Sequence, residues 1–156
     1  MGYFQLLTNK DILYIVSVLN SFALDFVARH KSTMHVNFFT LYQLPVPRLT
    51  EGNPVYDEMV KRAARLVCVG PEFDALREEI GLEPDQVALN PRERAGLRAE
   101  LDAIVARWVY GLTKEEFRTI LYGVEGDPNS RVFPLVDEKI KMAALAAWDE
   151  VGKGPG

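Results

Sequence analysis

A chain of 156 residues is long enough to bury the core of one ordinary domain, and 48% hydrophobic against 26% charged residues excludes wholesale disorder. The net charge of −4 argues against a surface that is basic throughout, the usual form of a free-standing nucleic-acid-binding domain. A single cysteine, Cys68, excludes an internal disulfide; it reads as a small buried apolar side chain in a cytoplasmic protein.

The opening residues have no basic stretch ahead of an apolar run, so no secretory leader is read there. Thr8 or Asn9 can cap a helix starting near Lys10. Residues 12–27 are apolar on most sides, with Ser17, Ser21 and Asp25 as a narrow polar stripe. Asn20, Ser21 and Asp25 leave fewer than the ~20 clean residues a membrane span needs, so one long buried core helix is predicted. Residues 29–33 read as a polar break, and residues 36–44 as a short extended or β segment closed by Pro45 and Pro47.

From Pro54 on, helix follows helix. Met59, Val60, Ala63, Leu66 and Val67 share one side of the first, and Gly70-Pro71 ends it. A short helix over 71–80 is followed by Gly81, the residue type suited to a left-handed helix end. Asn90-Pro91 opens another helix, with Leu97, Leu101, Ile104, Val105 and Trp108 at helical spacing. Thr113 through Glu116 form a capping box for the next, and the last is expected over 135–151 with Val136, Ile140, Ala143, Ala144, Ala147 and Trp148 inward. The whole reads as a mainly α bundle of about six helices, with 1–50 and 51–156 as two regions of one compact unit.

Catalytic signatures are missing. The chain has no glycine-rich dinucleotide or phosphate loop, no nucleophile elbow and no HExxH. One cysteine and two histidines cannot supply a zinc site. Glu78, Glu79, Glu93, Glu100 and Asp102 are expected simply to solvate helix faces.

The charge is unevenly placed. Lys10, Arg29, Lys31 and Arg48 against Asp11 and Asp25 make residues 1–50 net +2, leaving −6 for the remainder. In that first third, Arg29, Lys31 and Arg48 suit phosphate contacts, and Thr33, His35, Asn37 and Gln43 suit the polar edges of bases. The competing reading is that Phe38, Phe39 and Leu41 anchor a loop whose polar residues merely face water.

Val18-Leu19-Asn20-Ser21-Phe22, Asp25-Phe26, His35-Val36-Asn37-Phe38-Phe39 and Gln43-Leu44-Pro45-Val46-Pro47 run in an order that resembles the end of the target-recognition region of Type IIG restriction–modification enzymes. In that family an adenine-specific DNA methyltransferase and a nuclease share one polypeptide. Asn90-Pro91-Arg92-Glu93-Arg94-Ala95, residues 97–103 and Tyr110-Gly111-Leu112-Thr113 resemble the family's tail. The catalytic motif, (N/D)PP(Y/F), is not matched: Asn53-Pro54-Val55-Tyr56 lacks its second proline and reads as a helix start. The methyl-donor loop and the nuclease motif are also absent. The resemblance therefore implies a non-catalytic accessory part of a longer, S-adenosylmethionine-using enzyme, with no cofactor of its own. Its implied partners are DNA and the parent's catalytic domain. A second copy meeting the apolar helix over 12–27 is a further expected partner; a membrane is not. The alternative is a helical scaffold of the same enzyme that barely touches DNA.

Overall fold

The computed structural model describes residues 6–31 and 44–152, and the chain there is mainly α-helical. Seven α-helices and no strand occur among the described residues. They are α1 (Asn9–Leu19), α2 (Phe22–Lys31), α3 (Pro54–Val67), α4 (Asp74–Ile80), α5 (Pro91–Ile104), α6 (Lys114–Tyr122) and α7 (Glu138–Val151). The extended or β segment expected over 36–44 lies outside the described residues except for Leu44.

The single long helix expected over 12–27 is two helices, bent by 65° at Asn20 and Ser21. The polar pair redirects backbone bonding. The Asn20 amide donates to the Val16 carbonyl (2.8 Å), and the Ser21 hydroxyl donates to the Val18 carbonyl (2.6 Å), so both close the end of α1. A new helix then starts at Phe22, whose N–H donates to the Asp102 carboxylate of α5 (2.9 Å). Of the polar break expected over 29–33, the described part, 29–31, is helical, and residues 32 and 33 lie outside the described residues. Arg29, His30 and Lys31 form the last turn of α2, where cationic side chains favour the negative end of the helix dipole.

Thr8 caps α1 in a reciprocal box with Asp11. Asn53 caps α3 through hydrogen bonds from the Val55 and Tyr56 amides, with Pro54 in the first turn, as the reading of that string as a helix start requires. Gly81 ends α4 at φ 73°, a conformation that disfavours any residue with a Cβ. Asn90 caps α5.

α3 lies between α1 and α5, and α5 packs most extensively on α7. Leu13, Val18 and Leu24 share one core with Met59, Ala64, Ile104 and Val105, so the two regions of the sequence bury their apolar faces together. Ala99 and Ala103 on α5 meet Ala147 on α7, and small side chains let those helices approach closely. A second cluster of Ala106, Phe117, Leu121, Ala144 and Trp148 joins α6 and α7. Cys68 is fully buried at the end of α3, and burial raises its thiol pKa.

Leu97, Leu101, Ile104 and Val105 are buried as expected, and so are Ala144, Ala147 and Trp148, whereas Trp108, Ile140 and Ala143 depart from expectation and are exposed. A π-helical turn, Val105–Val109, follows α5, with the Tyr110 N–H reaching the Val105 carbonyl five residues back. The wider turn shifts the register, so Trp108 leaves the core and its indole N–H donates to the Val151 carbonyl (3.1 Å). The last helix starts at Glu138 behind an Asp137 cap rather than at Leu135. It turns Lys141, Ala144, Ala147 and Trp148 inward and leaves Ile140 53% exposed.

α1 is buried on one side only. Leu13, Tyr14 and Val18 are covered, whereas Ile12 and Val16 are 48% and 42% exposed, with Leu19 following them on the same outer stripe. No single described helix is long and apolar enough to cross a membrane.

Candidate nucleic-acid interface

The platform for the predicted site is the α1–α2 pair together with the segment 44–50. Prolines cannot donate to a helix or sheet, and Pro45 and Pro47 are held instead through their carbonyls. The Tyr14 hydroxyl donates to the Pro47 carbonyl and the Tyr110 hydroxyl to the Pro45 carbonyl, both at 2.6 Å. Tyr14 is buried and its ring lies 5.3 Å from that of Tyr56, whose own hydroxyl donates to Asp11 (2.8 Å). Burial pushes both the Tyr14 and the Tyr110 phenols up to about 12. Asp11 is pulled down, first by the Thr8 N–H and then by the Tyr56 hydroxyl. The segment is thereby pinned from two elements 33 and 65 residues away in sequence.

Of the seven residues predicted to touch DNA, three are described. Arg29 is exposed at the end of α2, paired with Asp25 one turn back (2.9 Å), and its guanidinium lies 5.2 Å from the centre of the Phe133 ring. Lys31 is the exposed last residue of α2. Arg48 is exposed on the pinned segment, close enough to Asp11 to lower that carboxyl's pKa. It borders a cleft of about 460 Å³ between the start of α1 and residues 46–51. Arg29 and Lys31 therefore end one helix of the bent pair, while Arg48 sits by the first turn of the other. Each helix of this pair contributes about 15 Å of length, so the structure does not gather these cations into one cluster. Thr33, His35, Asn37 and Gln43 lie outside the described residues.

Four of the five carboxylates expected only to solvate helix faces have specific partners. Glu100 pairs with Arg62 (2.7 Å), Glu93 with Arg65, and Glu79 accepts from the Asn9 amide (2.9 Å). Asp102 is the more consequential correction. Half-buried between helices, it accepts the first N–H of α2, and burial pushes its pKa up to about 7 despite that hydrogen bond. No sequence pattern marked it, because its partner lies 80 residues away. Tyr14 and Tyr110 were legible in one respect: a tyrosine on an apolar stripe needs a partner for its hydroxyl. That the partners are proline carbonyls was not legible.

Tyr14→Phe should cost about 1–2 kcal/mol, because it leaves the Pro47 carbonyl without its donor. Amide exchange in residues 46–50 should accelerate more than in α5. Uniform acceleration throughout the chain would show that Tyr14 does not hold this segment in particular.

Among the described residues no group of three or more His, Cys, Asp or Glu side chains is placed to hold a metal ion. Comparison with protein-family models, with curated proteins and with solved structures gives no match.

Proposed function

We propose that this chain is a non-catalytic DNA-recognition accessory part of an adenine-specific DNA methyltransferase of the restriction–modification kind, with a role in phage defence. The observation that carries the reading is the double pinning of Pro45 and Pro47 by Tyr14 and Tyr110. It holds Arg48 on a rigid support beside α1, while Arg29 and Lys31 close α2. Binding residues commonly sit on such irregular segments borne by a rigid scaffold. An enzyme that flips adenine out of a duplex needs a separate surface to hold the flanking DNA. Methyl transfer, with S-adenosylmethionine as donor, belongs in this proposal to the parent enzyme's catalytic domain. The exposed stripe of Ile12, Val16 and Leu19 suits packing against that domain or a second copy of the chain.

The separation of Arg48 from Arg29 and Lys31, with the −6 balance of residues 51–156, favours a second reading, a helical scaffold with little DNA contact. Affinity for duplex DNA measured against salt separates the two. The combined Arg29→Ala, Lys31→Ala and Arg48→Ala variant should bind more weakly. Its log affinity–log salt slope should shrink by about 0.9 per lost phosphate contact. An unchanged slope with the fold intact would leave the scaffold reading.

A further inference from the structure

The Arg29 side chain is held at one edge and over one ring, and what is left open decides what it can bind. Its Nε donates to the Asp25 carboxylate one turn back (2.9 Å), the i,i+4 pair of a helix surface. Its guanidinium carbon lies over the Phe133 ring, 5.2 Å from the centre, in a cation–π contact supplied by the loop between α6 and α7. Phe133 is itself fixed. It is 3% exposed and meets Phe22, two turns earlier on α2, edge to face at 5.1 Å. Among the described residues neither Nη group of Arg29 has a hydrogen-bond partner, and the side chain is more than half exposed. The Nη1–Nη2 edge is therefore an open fork of donors, positioned before any ligand arrives.

Two features oppose an anion at this fork. The Asp25 carboxylate offsets the guanidinium charge, and Arg29 stands in the last turn of α2, at the negative end of the helix dipole. Neither feature opposes a neutral ligand that presents two acceptors side by side. In duplex DNA that pair is O6 and N7 of guanine at the major-groove edge, which a guanidinium matches with two hydrogen bonds.

We propose that Arg29 is a base-reading residue that takes guanine, and that Phe133 is the residue that positions it. The inference rests on the DNA-binding reading above and changes the role of one residue in it. Lys31 and Arg48 remain the phosphate contacts, and Arg29 supplies sequence preference. Phe133 does not touch DNA in this account. It holds the fork in place, which lowers the entropy lost when a long side chain is ordered at binding.

The test measures binding of the whole chain, across a salt series, to three duplexes of one length. They are a guanine-rich mixed sequence, the same duplex with 7-deazaguanine at every guanine, and a duplex of A·T pairs alone. 7-Deazaguanine keeps the pairing and every phosphate and removes the N7 acceptor. The wild-type chain should bind the guanine duplex about tenfold more tightly than the other two, with one log affinity–log salt slope for all three. Arg29→Ala should abolish that preference and leave the slope unchanged. Phe133→Leu, which keeps an apolar side chain in the core, should cut the preference to about threefold or less. In the Arg29→Ala background it should change nothing, whereas a merely structural role would weaken binding in both backgrounds. The inference is overturned, with the DNA reading intact, if the wild type binds all three duplexes alike and with a salt slope. It is also overturned if Arg29→Ala keeps the preference and shrinks the slope by about 0.9, the mark of a phosphate contact. A folded Phe133→Leu variant with the full preference removes the positioning role. Absence of salt-dependent binding to any of the three duplexes removes the DNA reading and this inference together.

Discussion

At pH 8 the Asp102→Asn variant should resist denaturant better than the wild-type chain, by up to about 4 kcal/mol, and the gain should vanish below about pH 4. The Asp102 carboxyl is pushed from 3.8 to about 7 by burial, opposed only by the hydrogen bond from Phe22. A folded-state pKa above the unfolded one means that the native protein holds the proton more tightly. Stability is therefore greatest where Asp102 is protonated. It falls as pH rises from about 4 to about 7 and stays low above that, at about 1.4 kcal/mol per pKa unit. Asparagine carries no charge to desolvate, and its side-chain oxygen still accepts from the Phe22 N–H, so α2 keeps its cap. The lost attraction between a carboxylate and the helix dipole offsets about 0.3–1 kcal/mol of the gain. Denaturation midpoints of both proteins between pH 4 and pH 8 decide the matter. A wild-type midpoint that does not fall over this range, or a variant less stable at pH 8, would refute the account.

Phe117→Ala should lower stability by about 3–5 kcal/mol, a large share of the 5–15 kcal/mol that holds a typical domain folded. Phe117 is wholly buried on α6, with its ring centre 5.7 Å from that of Trp148 on α7. Ala106, Leu121 and Ala144 complete the cluster, and two of these three are alanines that cannot swing in to fill a vacated ring. Phe22 at the start of α2 also packs against it, so a cavity here loosens the seat of α2. The melting temperature should drop by roughly 6–20 °C for a chain of this size. Phe117→Leu, which keeps most of the volume, should cost less than half as much. A loss below about 1 kcal/mol for the alanine variant would mean that α6 contributes little to the cooperative unit.

Much of the architecture follows from local chemistry that one stretch of sequence contains whole. Thr8, Asn53, Asn90 and Thr113 are side chains that satisfy orphan amides two or three residues ahead, and all four cap the helices they were expected to open. Gly81 and the proline-bearing strings mark helix boundaries for equally local reasons, because a missing Cβ or a missing N–H acts where it stands. The mainly α character is the sum of these signals and of the apolar spacing between them.

What only the tertiary structure decided is where long-range partners meet. Asn20 and Ser21 end a helix because an acceptor from α5 waits for the next N–H, and without Asp102 in place the apolar run on either side reads as continuous. One π-helical turn after α5 carries Trp108 outward, and the packing of α7 on its neighbours leaves Ile140 outward and Lys141 inward. Arg29, Lys31 and Arg48 were recognisable as cations of the first third. Arg48 is placed by Tyr14 and Tyr110 reaching proline carbonyls 33 and 65 residues away, and Arg29 and Lys31 by the bend that starts α2 at Phe22. Periodicity along one segment carries no information about such contacts, because each is fixed by packing between segments.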